Sequence, residues 1–100
     1  MKLWVDDARP APDLSYFPMP SVNLSKAYIE YCENEGVVLE LIDIGHDAGF
    51  YVFDGGDYIN LLNWLEETGR NYPIKIHSMN SVGVENMRRI IKRNGWREIT

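Results

Sequence analysis

The chain has 100 residues, 45% of them hydrophobic and 12% aromatic, which is the balance of one globular domain and excludes a disordered tail. A formal charge of −5 argues against general binding to a nucleic-acid backbone, though a small phosphorylated ligand on a local basic patch or a metal stays compatible. The lone Cys32 cannot form an internal disulfide and falls in a helical apolar pattern, as a core thiol does. With no signal peptide and no apolar run of membrane-spanning length, the expectation is a cytoplasmic protein without membrane contact.

The first apolar run, "KLWV" (residues 2–5), stops at Asp6 as a buried strand would. "ARPAPDLSYFPMPS" follows, and its four prolines predict an extended loop, with short β-pairing around Ser21 and Val22. Asn23 then reads as an N-cap. Leu24, Ala27, Tyr28, Tyr31 and Cys32 recur on one helical face, and Gly36 supplies a stop.

"VVLELIDI" is too continuously apolar for an exposed strand and reads as a central parallel strand buried on both faces. "GHDAGFYVFDGGD" is a glycine-rich loop able to approach a ligand closely. A second helix is predicted from Asp57, with Tyr58, Leu61, Leu62 and Leu65 inward and Gly69 at its end. "IKIHS" is the next strand. A third helix over 81–94 buries Val84, Met87, Ile90 and Ile91 before Gly95, and "WREIT" forms a last edge strand. The three tryptophans, Trp4, Trp64 and Trp96, lie in apolar patterns and read as core.

Strands alternating with helices predict an α/β domain over residues 1–100, a three-layer, mainly parallel open sheet of four or five strands. Ligands of such sheets bind beyond the carboxyl ends of the strands. Three predicted strand ends carry reactive groups: Asp6 and Asp7, then Asp43 to His46 and Asp47, then His77 and Ser78. Taken singly, an Asp pair is a solvated turn and a His–Asp pair a surface hydrogen bond. Brought to one edge, the carboxylates suit a hard cation such as Mg²⁺. The histidines suit proton transfer to a leaving oxygen, and Ser78 could bond a phosphate oxygen. Asn80, Gly83 and Asn86, around the third helix's start, fit either anion binding or simple capping. Arg88, Arg89, Lys92 and Arg93 read as a solvated face near a helix C-terminus.

The segments "WVDDARPAP", "IDIGHDAG", "GGDYINLLNWLE" and "HSMNSVGVENM" resemble, in order, the "WLDDxRPAP", "LDHDLG", "GxDVxxWLE" and "HSxNPVGxxNM" patterns of the cyclic-phosphate processing receiver domains. These are relatives of response-regulator receivers. The resemblance implies a receiver-like, flavodoxin-like sheet of order 2-1-3-4-5, with its first crossover shortened to the proline-rich loop. It implies a divalent metal, Mg²⁺, at Asp6 and Asp7 with Asp47 as a third ligand. His46, Asp47, His77 and Ser78 would be catalytic, and Arg9, Asn80, Gly83 and Asn86 would bind the ligand. Gly45 stands where the pattern has the aspartate resembling the receiver phosphoacceptor, and Ser81 replaces a proline. Asp43, two residues earlier, reaches that place only if the loop bulges.

The function so implied is a metal-dependent phosphoesterase, a hydrolase, or a binder acting on a cyclic phosphate of a nucleotide or RNA end. The alternative is a non-catalytic receiver-like module that binds a nucleotide or a protein partner, which the Gly45 departure favours. Phosphoryl relay ranks last for the same reason.

Overall fold

The computed structural model describes residues 1–100. Its elements are β1 (Lys2–Val5), β2 (Tyr16–Met19), α1 (Val22–Glu35), β3 (Leu41–Ile44), α2 (Ile59–Glu67), β4 (Ile74–Ile76), α3 (Ser81–Asn94) and β5 (Glu98–Ile99). A five-residue 3₁₀ helix, Gly49–Phe53, lies between β3 and α2. The five strands form one all-parallel sheet of order β2-β1-β3-β4-β5. The parallel sheet is the one expected from the strand pattern, and its order is the receiver-like one that the resemblance implied. No helix is long and apolar enough to cross a membrane.

Period-two alternation divides the sheet into two chemically different faces. Leu3, Val5, Ile42, Ile44 and Ile74 point to one side and join a 19-residue apolar cluster with residues of all three helices. The helices pack side by side there, α1 against α2 and α2 against α3. The opposite face carries Trp4 and Asp6 from β1 and its end, Asp43 and Gly45 from β3, and Lys75 and His77 from β4. No helix joins β1 to β2, so the layer on this second face shrinks to the proline-rich segment. That segment is tied down where the Trp4 indole N–H donates to the Arg9 carbonyl at 2.9 Å.

Several local expectations shift by a residue or two. β-Pairing in the proline-rich segment falls on Tyr16–Met19, not on Ser21 and Val22. Pro18 is tolerated because β2 is an edge strand. Ser21, not Asn23, caps α1: its hydroxyl accepts the Leu24 N–H at 3.1 Å. The buried face of α1 is accordingly rotated to Val22, Ser25, Tyr28, Ile29 and Cys32, leaving Leu24 and Tyr31 exposed. Ser25 can be buried because its hydroxyl donates to the Ser21 carbonyl. Strand β3 begins only at Leu41, since Val37 and Val38 lie exposed just past the Gly36 cap. On α3 the buried set is Gly83, Met87, Ile90 and Ile91, with Val84 half-buried.

Other readings hold. Cys32 is buried, as are Trp4 and Trp96, and Trp64 is half-buried beneath the Arg70 guanidinium. The basic run on α3 is a paired surface: Arg88 bonds Glu98 and Arg93 bonds Glu66, each at 2.8 Å.

The fully buried Tyr58 ties the start of α2 to the end of the proline-rich segment, donating its hydroxyl to the Pro20 carbonyl at 2.7 Å. Tyr58→Phe strands that carbonyl without its partner. Urea unfolding is expected to show a loss of about 1–2 kcal/mol.

Candidate functional site

Three loops meet beyond the carboxyl ends of β1, β3 and β4. Between them lies a pocket of about 230 Å³, lined by Asp6, Asp7, Ala8, Arg9, Gly45, His46, Asp47 and Ser78. Ala8 is the single apolar residue among these. The three strand ends singled out in the sequence therefore converge, although not every expected residue faces the cavity.

His77 lies under the pocket floor and organises it. Its Nδ1 is 2.7 Å from Asp43 Oδ1 and its Nε2 is 2.7 Å from Asp6 Oδ2. Both contacts are hydrogen bonds together only when each ring nitrogen carries a proton, because a carboxylate can only accept. The ring stacks on Trp4 at 4.0 Å with planes 6° apart. The Arg9 guanidinium donates to the His77 carbonyl at 2.9 Å. One imidazole thus joins β1, β3 and β4.

Asp43 is only 1% exposed. Its second oxygen accepts the Tyr16 hydroxyl at 3.3 Å. Burial, with the Asp43 charge beside it, pushes the Tyr16 hydroxyl up in pKa, so it remains a donor. Asp43 sits in regular register opposite Trp4 and Lys75, so the strand has no bulge there. It therefore does not occupy the place of the acid missing at Gly45. A Cβ at residue 45 would stand 3.2 Å from Asp6 Oδ2 and 3.3 Å from His77 Nε2. Gly45 thus leaves open the space directly over the Asp6–His77 contact.

Asp6 turns inward. Its Oδ1 accepts the N–H groups of Ala8 and Arg9 at 2.9 and 2.8 Å, and Oδ2 meets His77. Burial pushes its pKa up, but the two backbone donors and His77 outweigh this, and the net shift is downward. Asp7 is exposed and accepts no hydrogen bond. Gly49 lies against it at φ 55°, and any side chain there would collide with the Asp7 carboxylate.

His46 lies over the first turn of α3. Its Nδ1 is 3.3 Å from Asp47 Oδ1 and 3.4 Å from Asn80 Nδ2. A Cβ on Gly83 would collide with the imidazole, so Gly83 is required for that contact. Asn80 is the N-cap of α3, accepting the Gly83 N–H at 3.0 Å. The Ser78 hydroxyl lines the pocket and accepts the Asn80 N–H at 3.1 Å. Asn86 is exposed and bonded to Arg89 at 2.8 Å, apart from the cavity. Of the expected ligand-binding residues, Arg9 lines the pocket, whereas Asn80 and Gly83 act one layer behind through His46.

The three-carboxylate cage of Asp6, Asp7 and Asp47 is not assembled, and no three His, Cys, Asp or Glu side chains are grouped to hold a metal ion. Asp6 is largely engaged with its own donors, and the Asp47 side chain is 75% exposed beside His46. Asp7, whose carboxylate accepts nothing from the protein, is the acid here that could hold a mostly hydrated cation, with Asp6 beside it in sequence but already bonded through both oxygens. The supporting roles of Trp4, Tyr16 and Asp43 were the least legible. Their one signal is an acid embedded in the apolar run "LIDI".

The fold and the strand-end pocket define a receiver-like α/β domain. The family model described as the cyclic-phosphate processing receiver domain matches residues 1–93, and the chain belongs to that family. A search of curated proteins and a search of solved structures gave no match.

Two stability predictions follow from the buried contacts. Leaving a buried donor without its acceptor typically costs about 1–3 kcal/mol, and Asp43→Ala does so to both His77 Nδ1 and the Tyr16 hydroxyl, so it should lose about 3 kcal/mol in urea unfolding. Asp43→Asn keeps an acceptor and should lose less. The second concerns acid. Because Asp6 has a lower pKa folded than its ordinary 3.8, its stabilisation is complete above that value and fades as pH falls through the folded value. Acid unfolding of Asp6→Asn should accordingly be less steep below pH 4 than that of the unaltered chain; an identical acid limb would contradict the assignment.

Proposed function

We propose that the chain binds a cyclic phosphate ester in the strand-end pocket and opens its ring. The observation that carries this reading is the pairing of two kinds of wall in one cavity. Asp6 and Asp7 supply oxygen donors, whereas Arg9, His46 and Ser78 supply a cation, a titratable ring and a hydroxyl. Membership of the family supports the cyclic-phosphate class.

In this reading Arg9 and Ser78 bond the non-bridging phosphoryl oxygens. An acidic wall would repel the phosphate by itself. A divalent cation held by Asp7 and Asp6 would supply the offsetting charge and Lewis acidity. Water attacks phosphorus as one ring P–O bond breaks, the departing alkoxide takes a proton from His46 Nε2, and a proton released by the attacking water returns to the ring, giving a phosphomonoester and a free hydroxyl. The Asn80 amide donates to Nδ1, which leaves the neutral ring's proton on Nε2, at the edge that runs along Gly83; Asp47 is the partner of Nδ1 only when that nitrogen is itself protonated. His77 is a positioning residue: it aligns Asp6 and, through its carbonyl, Arg9.

The second reading is a binding module without turnover. It is favoured by Gly45, which removes the acid of the family pattern, and by the engagement of Asp6 with His77.

Phosphorus NMR of a 2′,3′-cyclic nucleotide incubated with the protein and Mg²⁺ tests the proposal. The expected result is a growing phosphomonoester signal, slowed roughly 10²-fold or more in His46→Ala. Binding without a monoester would support the module instead, and no binding would overturn both. Gly45→Asp places a third carboxylate beside Asp6 and should tighten Mg²⁺ binding roughly tenfold by calorimetry.

A further inference from the structure

The pocket is too small and too polar to hold a whole nucleotide. Its volume of about 230 Å³ falls below the range of about 300–1,000 Å³ typical of pockets that enclose drug-sized ligands. Its lining has Ala8 as the only apolar residue and carries no phenyl, phenol or indole ring. Whatever the phosphate carries must rest outside, on the rim.

One side of that rim is unusually apolar. The 3₁₀ helix Gly49–Phe53 leaves the pocket immediately after His46 and Asp47, and its first residue packs against Asp7. Phe50 is 80% exposed and Phe53 72% exposed, with their ring centroids 5.6 Å apart at 74°. None of the five residues is buried, so these rings contribute little to the core. Yet the segment is firmly fixed. The Ala48 N–H donates to Asp57 Oδ1 at 3.0 Å on one side. On the other, Asp54 accepts the Ser21 hydroxyl at 2.6 Å and the Asn23 side chain at 3.1 Å. The backbone that carries the rings is thus fixed at both ends, and the two rings meet edge to face, so a planar partner can lie on one ring with its edge toward the other.

We infer that Phe50 and Phe53 form a stacking platform for the base of a nucleoside cyclic phosphate whose phosphate sits in the adjacent pocket. The inference rests on the cyclic-phosphate reading and adds to it the group that makes one ester bind better than another. The shared edge through Gly49 and Asp7 places platform and pocket side by side, so one ligand can span both. Stacking tolerates any base, because every base has a π face, so the platform selects for a base without reading which one.

The test compares calorimetric affinities, in Mg²⁺, of 2′,3′-cyclic AMP and of glycerol 1,2-cyclic phosphate, which has the same five-membered ring and no base. The nucleotide is expected to bind about 10–100-fold more tightly. The double substitution Phe50→Ser with Phe53→Ser should erase that advantage and leave the glycerol ester unchanged. Phe50→Tyr with Phe53→Tyr, which keeps the aromatic faces, should retain it. Equal affinities in the unaltered chain, or a nucleotide advantage that survives loss of both rings, overturns the platform while the pocket reading stands. Failure of both ligands to bind overturns the platform and the pocket together.

Discussion

The site depends on one imidazole held between two carboxylates. His77 lies just beyond β4, Asp43 within β3 and Asp6 just beyond β1, and the two 2.7 Å contacts tie these three parallel strands together at their carboxyl ends. The Trp4 ring closes one side of the imidazole, and the Tyr16 hydroxyl holds the far oxygen of Asp43. One wall of the pocket is hung from this arrangement. Asp6 is aimed by His77, Arg9 is anchored on the His77 carbonyl, and Ser78 follows His77 in the chain.

The same arrangement explains how a chain of 100 residues can carry a receiver-like site with only three helices. All three helices cover one apolar face of the sheet. A polar network on the other face takes over part of the work of a hydrophobic layer, with the proline-rich segment drawn over it by Trp4 and Arg9. A buried polar network stabilises only when its members are satisfied. Here no buried side-chain nitrogen or oxygen lacks a partner. Gly45 follows from the same logic. The chain has an acid deep in β3, at Asp43, and no side chain at 45, so the contact below is met and the space above is left for a ligand.

Much of this was legible in the sequence because strand ends carry their own punctuation. "WVDD", "GHD" and "HS" each place polar residues directly after an apolar run, and parallel strands bring such positions together. The Leu61, Leu62 and Leu65 spacing of α2 and the Met87, Ile90 and Ile91 spacing of α3 were equally plain. The entry to α1 was not. Both Ser21 and Asn23 are good caps by residue type, and both side chains also donate to Asp54, which is distant in sequence, so the residue type alone did not separate them. Which polar residues face the ligand and which stand behind it also escaped a one-dimensional reading. His46 and His77 look alike as residues after strands, yet one lines the cavity while the other is packed under it against Trp4. The Asn80–Gly83 spacing fits anion binding as well as capping, and only the His46 ring lying over Gly83 shows what the glycine accommodates.

The central claim is that the ligand of this domain sits at the carboxyl ends of β1, β3 and β4. Backbone amide chemical shifts recorded while Mg²⁺ and then glycerol 1,2-cyclic phosphate are added test it most directly, because this small ester can touch little beyond its own pocket. The account predicts shifts concentrated at Asp6–Arg9, Gly45–Asp47 and Ser78, larger with both components than with either alone. Shifts centred elsewhere, or none at these residues at saturating ligand, would contradict it.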